Sequence, residues 1–441
     1  MTPPVISQPG NFSRILPVVL PVLVIFLILP AFLPAAGAVP EGTATPGTGI
    51  VWGPWITGTS PTGTIIHVKT AIPANVTVQY GPEDDFRKTG TYRYTVSDNG
   101  ASLLHQVTLA GLSPGTRYHY RVMTGGNSTG DCHFLTFPVS GGITFIVYGD
   151  SRDQLPVISQ NLRHYLVAER ISQEEDVSFV LHTGDILTDS RNLSDWDRFF
   201  AAGGILLANT TFVPVMGNHE QDSPLWEEIF GTAPAYSFDC GPAHVMVLNS
   251  NDNVWSRLGC ETAWVSGDLM TQKPWKFAAL HHPLYSSEEK HVGGWKNLRD
   301  AWEGLFIEQG VTAVFQGHVH AYERDMAGGV TYITEGRGGS PFYALNETKI
   351  PSYRTSRENS LGYTRIDLNP LGGVATFTVI QVAEFADNGT SLLTPEGTVV
   401  ERFALSPLHS RGTSAPLPEA QPLRKIPVFL TGFRPFYTPV F

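Results

Sequence analysis

An all-β sandwich followed by a layered α/β domain is the architecture that this 441-residue sequence predicts. Three observations predict it. From Ile50 to Phe137, short alternating segments such as Thr64-Ile65-Ile66-His67-Val68 and Val76-Thr77-Val78-Gln79-Tyr80 are separated by Gly, Pro, Asn and Asp at sandwich spacings. From about 142 to 350, strand-like apolar runs alternate with helical stretches, as in a largely parallel α/β domain. Five of those runs end in residues of metal-binding type, and in open α/β sheets ligands bind at the carboxyl ends of strands.

In chain order, one cation, Arg14, precedes 24 uncharged residues from Ile15 to Ala38, a length that spans a bilayer. The run contains four prolines and ends in Ala36-Gly37-Ala38, a signal-peptidase pattern, so residues 1–38 are a signal peptide or an uncleaved membrane anchor. Either way Arg14 stays inside and the remainder is exported, secreted or N-terminally anchored. Residues 39–47 form a Pro/Gly/Thr-rich linker.

Residues 48–138 make up the sandwich. In it Leu112-Ser113-Pro114-Gly115-Thr116-Arg117-Tyr118-His119-Tyr120 resembles the tyrosine corner of a fibronectin type III-like domain, with Tyr118 as the residue that satisfies backbone groups. Residues 142–405 form the α/β domain, with helices expected over Pro156–Ile171, Trp196–Leu207 and Leu298–Gln309. From Gly362 to Leu405 strands return, as in Val374 to Ile380, and are expected to complete a second sheet. Residues 406–441 hold seven prolines and neither periodicity, which predicts a poorly ordered tail.

A net charge of -11 with no basic stripe excludes nucleic acid as a partner. It does not exclude a phosphorylated substrate, because a bound metal inverts the field of its site. The nine tryptophans read as core and domain-interface residues. Sequons at Asn75, Asn127, Asn192, Asn209, Asn346 and Asn388 agree with export. Of three cysteines, Cys240 and Cys260 either pair, leaving Cys132 over, or stay as buried thiols.

The five strand tips carry Gly149-Asp150, Gly184-Asp185, Gly217-Asn218-His219-Glu220, His281-His282 and Gly317-His318-Val319-His320. Carboxylate, amide and imidazole donors without thiolate suit Fe, Zn or Mn. Two such cations roughly 3.5 to 4 Å apart activate a shared water and brace an in-line phosphoryl displacement.

In this order, with His281-x-Pro283 and Gly317 through Arg324, the series resembles the calcineurin-like metallophosphoesterases, and specifically their purple acid phosphatase branch, whose members carry a fibronectin-like N-terminal domain. The resemblance covers about residues 48 to 400 and implies a metallophosphoesterase sandwich of two mixed sheets flanked by helices. It implies two divalent or mixed-valence metal ions, one held by Asp150, Asp185 and His320 and the other by Asp185, Asn218, His281 and His318, with Asp185 bridging. It further implies that His219 binds phosphoryl oxygens and that His291 protonates the leaving alcohol, although an exposed loop histidine also fits His291. Arg337, in the glycine-rich turn Glu335 to Gly339, is a candidate substrate contact, while Tyr322-Glu323-Arg324 is expected to brace the histidine turn. His282 fills a variable position and receives no role.

One departure stands out. The branch has a metal-binding tyrosine where this chain has Thr188, so the protein is expected not to be purple. Other metallophosphoesterases have a histidine where this chain has Arg152. Arg152 either presents its guanidinium to the substrate phosphate or pairs with Asp153 or Asp189 at the rim. The implied function is an exported dinuclear enzyme that hydrolyses small phosphate monoesters through a metal-bound hydroxide, touching the membrane only if the leader persists. The alternatives are a phosphodiesterase or nucleotide pyrophosphatase on the same fold, or a non-catalytic adhesion protein on a degenerate scaffold. The oligomeric state is left open.

Overall fold

Residues 49–153, 160–221, 223–251, 258–346, 355–369, 373–386 and 392–408 are described by the structure, a computed structural model. The leader, the linker, the helical start at Pro156, the sequon at Asn388, the side chain of Cys260 and the chain beyond 408 lie outside the described residues. Among the described residues no helix is long and apolar enough to cross a membrane.

The N-terminal part is built from β1 (Ile50–Thr57), β2 (Gly63–Pro82), β3 (Tyr94–Ala110), β4 (Arg117–Thr124), β5 (Asn127–Ser128) and β6 (Cys132–Leu135), with one short helix, α1 (Glu83–Thr89). Strand β2 pairs with β1 along its first half and with β4 along its second, a register irregularity after Lys69 letting one strand serve both layers. Strict alternation in β4 buries Tyr118, Tyr120 and Val122 against Ile66, Val78, Leu109 and Phe134. The tyrosine corner forms as expected: the Tyr118 hydroxyl accepts the Ser113 backbone N–H at 3.0 Å.

Two packed sheets form the remainder. The first runs β19-β18-β17-β7-β8-β9, where β7 (Ile143–Tyr148), β8 (Val177–His182) and β9 (Thr211–Pro214) are parallel and β17 (Ser360–Asn369), β18 (Val374–Phe385) and β19 (Leu392–Leu405) are antiparallel. The second runs β10-β11-β12-β13-β15-β14-β16. Its strands are β10 (Tyr236–Cys240), β11 (Ala243–Val247), β12 (Trp275–Ala279), β13 (Ala313–Gln316), β14 (Tyr322–Ala327), β15 (Val330–Glu335) and β16 (Thr355–Arg357), with β11, β12, β13 and β15 parallel.

The two mixed sheets are those the resemblance implied, while alternation alone overstated how parallel the domain is. One further expectation is corrected, because the strands after Gly362 do not complete the second sheet. They extend the first, because β17 pairs antiparallel with β7. Strand periodicity reveals a strand, not its neighbour.

The inner faces meet through Phe145, Val147, Phe179 and Leu181 from the first sheet and Val245, Phe277, Phe315 and Ile333 from the second. The outer face of the first sheet is covered by α2 (Gln160–Ser172) and α3 (Leu193–Leu207), whose Phe199 and Phe200 join Trp52 and Trp55 of β1 in one core. The Trp55 indole donates to the Ile229 carbonyl of α4 (Trp226–Phe230) at 2.9 Å, tying the sandwich to the second domain. The second sheet is covered by α5 (Leu258–Asp268) and by a helical run of α6 (Lys296–Leu298), a π-turn at Arg299–Glu303 and α7 (Gly304–Gln309).

Cys132 and Cys240 are free buried thiols, each pushed up to about 12 by burial.

Candidate metal centre

The residues singled out at strand tips converge from both sheets, three segments following β7, β8 and β9 and two following β12 and β13. Backbone geometry at these tips is unusual. Asp150, Asp185 and His318 have φ of 57°, 51° and 67°, a left-handed conformation that non-glycine residues occupy rarely and that clusters at functional sites. The glycines beside them are needed for close approach. A Cβ on Gly217 would meet the Asp185 backbone N at 2.3 Å, and one on Gly149 would meet Thr183 Oγ1 at 1.8 Å.

Backbone bonds lock the tips together. Asp150 N–H donates to Gly184 O at 2.9 Å, Gly317 N–H to His281 O at 2.9 Å, and His318 N–H lies 3.0 Å from each Asp150 carboxylate oxygen. Glu220 fastens a further pair, its two oxygens accepting Leu187 N–H at 3.2 Å and Gly217 N–H at 3.0 Å. Burial and the Asp185 charge push its carboxyl up to about 8.

Two nests of donors share Asp185. In the first, ligand atoms of Asp150, Asp185 and His320 lie within 4.8 Å of one another, all buried, with His320 Nε2 3.6 Å from Asp150. In the second, Asn218 Oδ1 lies 3.1 Å from His281 Nε2 and 2.9 Å from His318 Nδ1, and His281 Nε2 lies 3.2 Å from Asp185 Oδ1. Burial raises the Asp150 carboxyl well above the usual carboxylate range. Burial also opposes charge on Asp185, but the positive field and hydrogen bond of His281 hold it well below. His281 is raised to about 9 by the Asp185 charge acting against burial, while burial lowers His320 to about 3.

The donor set fits two cations. His320 Nδ1 is engaged by the Pro341 carbonyl, which leaves Nε2 fully buried with no hydrogen-bond partner among the described residues. His281 Nδ1 likewise meets the Thr183 carbonyl at 2.9 Å and turns Nε2 inward. A backbone carbonyl behind the outer nitrogen is how metal-binding imidazoles are oriented.

Comparison with known proteins identifies the family. The family model for the calcineurin-like phosphoesterase matches residues 129–322, and that for the purple acid phosphatase N-terminal domain matches 54–136. Purple acid phosphatase 22 of Arabidopsis thaliana is 30% identical over 331 residues, 66% of this chain and 72% of that one. The chain belongs to the purple acid phosphatase family.

A phosphoenolpyruvate phosphatase of Allium cepa is 26% identical over 361 residues, 67% of this chain and 71% of that one. Among solved structures, the fold is similar to purple acid phosphatase PPD1 of yellow lupin, with a TM-score of 0.64, 16% identity, and 80% and 74% of the two chains covered. It is also similar to PhoD, with a TM-score of 0.63, 12% identity, and 82% and 92% covered.

Within this purple acid phosphatase, the outer residues divide. His219 lies at the centre, its Nδ1 2.6 Å from the Thr188 carbonyl and its Nε2 3.8 Å from Asp185 Oδ2. His291 is also brought in, its ring 5.1 Å from that of His318. Arg152 pairs with neither Asp153 nor Asp189. Its Nε donates to Asp185 Oδ2 at 3.3 Å, while Asp153 takes Arg198 and Asp189 takes Arg191. Arg152 lines a cleft of about 530 Å³ with Thr188, Lys290 and Tyr343.

Arg337 is a correction. It is wholly buried and bidentate to Glu335, at 2.7 and 2.9 Å, so it does not reach a substrate. Thr188 supplies nothing in place of the family's tyrosine, because its hydroxyl is taken up by Asp153, 2.7 Å from the carbonyl and 2.9 Å from the carboxylate.

Two neighbours, Tyr343 and Trp295, went unnoticed in the sequence, and His282, which received no role there, is grouped with His281 and His318 as a possible donor. Tyr343 stacks on His320 at 4.0 Å, Trp295 stacks on His291 at 4.7 Å, and His282 lies 4.9 Å from the His318 ring, its Nδ1 3.0 Å from Ser250 Oγ. His282 follows His281 directly, so its proximity was readable; the aromatic residues come from loops that carry no local signal.

Proposed function

We propose that this enzyme is an exported phosphatase that hydrolyses small phosphate monoesters with two metal ions, held by Asp150, Asp185 and His320 and by Asp185, Asn218, His281 and His318. The observation that carries the reading is one buried carboxylate, Asp185, which shares a donor group with Asp150 and His320 and lies 3.2 Å from His281 of the neighbouring group of His281, His282 and His318. Two bound cations supply Lewis acidity and an activated water. The apolar leader behind Arg14 and the sequons support export.

The chain's own groups do the rest. His219 donates Nδ1–H to the Thr188 carbonyl, and with the ring doubly protonated its Nε2–H is the donor left for a phosphoryl oxygen of the substrate. Arg152 spends Nε on Asp185, and its Nη pair is assigned to the phosphoryl group as a fork. His291 faces the leaving group. The cleft beside Arg152, with Lys290 and Tyr343 on its wall, receives the alcohol portion.

The test is to strip the purified protein with chelator, restore Mn, Zn or Fe, and compare an aryl phosphate monoester with its bis-ester. The monoester is hydrolysed faster, and only with metal. Hydrolysis indifferent to metal overturns the proposal. Preference for the bis-ester replaces it with a phosphodiesterase, and inactivity with every metal points to a binding protein.

A further inference from the structure

The loop from Ser286 to His291 holds a carboxylate that the proposed chemistry does not yet use. Glu288 is 3% exposed, yet one of its oxygens, Oε2, takes three nitrogens of the same loop: Lys290 N at 3.1 Å, His291 N at 2.9 Å and His291 Nδ1 at 2.6 Å. The His291 ring is thereby fixed to its own backbone. It is fixed twice more, stacked on Trp295 at an interplanar angle of 20° and set edge-on to His318 at 77°. Glu288 is itself anchored. Its N–H donates to Ser286 Oγ at 3.0 Å, that hydroxyl donates to Glu323 Oε2 at 2.9 Å, and a β-bridge joins Glu288 to Leu345.

We propose that Glu288 is the positioning residue that aims Nε2 of His291 at the leaving oxygen of the substrate; this rests on the phosphatase reading above. With Nδ1 engaged by Glu288, Nε2 is the ring nitrogen left free to meet a substrate. In the step it serves, the bond from phosphorus to the leaving oxygen breaks as the bond from the attacking water oxygen to phosphorus forms, and that water gives up one proton to solvent. The leaving oxygen takes the Nε2 proton and departs as a neutral alcohol, and the ring recovers a proton from solvent. An activated aryl leaving group departs without that proton; an alkyl one does not.

The experiment measures kcat/KM of the metal-loaded full chain on phosphate monoesters running from 4-nitrophenyl to simple alkyl leaving groups. Glu288→Ala lowers the alkyl rate about 100-fold and the nitrophenyl rate about 5-fold or less, and His291→Ala shows the same slope. Glu288→Gln, which keeps an acceptor for Nδ1–H, restores the alkyl rate to within about 5-fold of wild type. If Glu288→Ala does not fold, Glu288→Asp, which withdraws the carboxylate by one methylene, is read on the same series and shows the same selective loss.

A folded Glu288 variant with equal losses on every substrate overturns the proposal, since a merely structural residue has that signature. A flat series for His291→Ala with an active wild type overturns it by removing the proton donor. A wild type inert on all the esters would instead sink the phosphatase reading.

Discussion

Arg337→Met separates a buried strut from a substrate contact. In the native protein the guanidinium makes two bonds to Glu335, packs against the Tyr322 ring at 5.2 Å, and has no exposed side-chain surface. Removing it leaves the Glu335 carboxylate buried with one side-chain bond, from Thr364 Oγ1 at 2.7 Å. Breaking a buried pair from one side costs about 3–5 kcal/mol, which for a domain of this size lowers the melting temperature by roughly 6–15 °C. The double variant Glu335→Leu/Arg337→Met removes the stranded charge and recovers most of that loss. The assay is differential scanning calorimetry at one scan rate, together with steady-state kinetics well below the melting temperature. The folded single variant keeps KM within about threefold of wild type, because the arginine touches no substrate. An unchanged melting temperature with KM raised tenfold or more would refute the argument and return Arg337 to the cleft.

Three further outcomes follow from the same geometry. Arg152→Ala raises KM for an aryl phosphate by about 10- to 100-fold, with Arg152→Lys intermediate, because a single ammonium does not reproduce the fork; unchanged kinetics would confine Arg152 to supporting Asp185. Gly217→Ala drives a Cβ to 2.3 Å from a backbone nitrogen and 2.4 Å from the Asp185 carboxylate, so bound metal per chain falls about tenfold or more by elemental analysis. His67, buried between Thr57 and Trp55, is held neutral, its pKa lowered by burial from 6.5 to about 3. The unfolded chain protonates first, so its contribution is full above pH 6.5 and is lost as pH falls toward 3. At pH 5 the loss is about 2 kcal/mol, and His67→Gln flattens the pH dependence of the unfolding free energy by that amount. Parallel profiles for wild type and variant would count against it.

The positions of the central donors were legible because each is announced locally. A strand, a glycine and a donor residue recur at Asp150, Asp185, Asn218 and His318, and the glycine is required by the close packing of one tip on the next. Arg337 misled for the converse reason. A glycine-rich turn specifies a backbone path, but the direction of its one long side chain was decided by Glu335 two residues earlier. The partner of β17 depended on a pairing across more than 200 residues, Thr364 with Val147, which no local pattern encodes. Trp295 and Tyr343 were unreadable in the same sense, as aromatic residues whose placement depends on where the loops land. The pairing of Glu288 with His291 lies within three residues and was open to inspection, yet the stretch looked like an ordinary polar loop.

The turn that carries His318 and His320 runs directly into β14, and Glu323, the second residue of that strand, grips Ser286 and Ser287 just ahead of Glu288. The expectation that Glu323 braces its own turn thus becomes a tie between two distant loops. The two sides of the proposed reaction are thereby yoked to one strand. A disturbance that shifts β14 displaces the donors of the nucleophile's side and the imidazole of the leaving group's side in concert, keeping their spacing. Substrate preference is therefore freest to diversify at the rim, around Lys290 and Val292, where side chains are exposed and outside this tether.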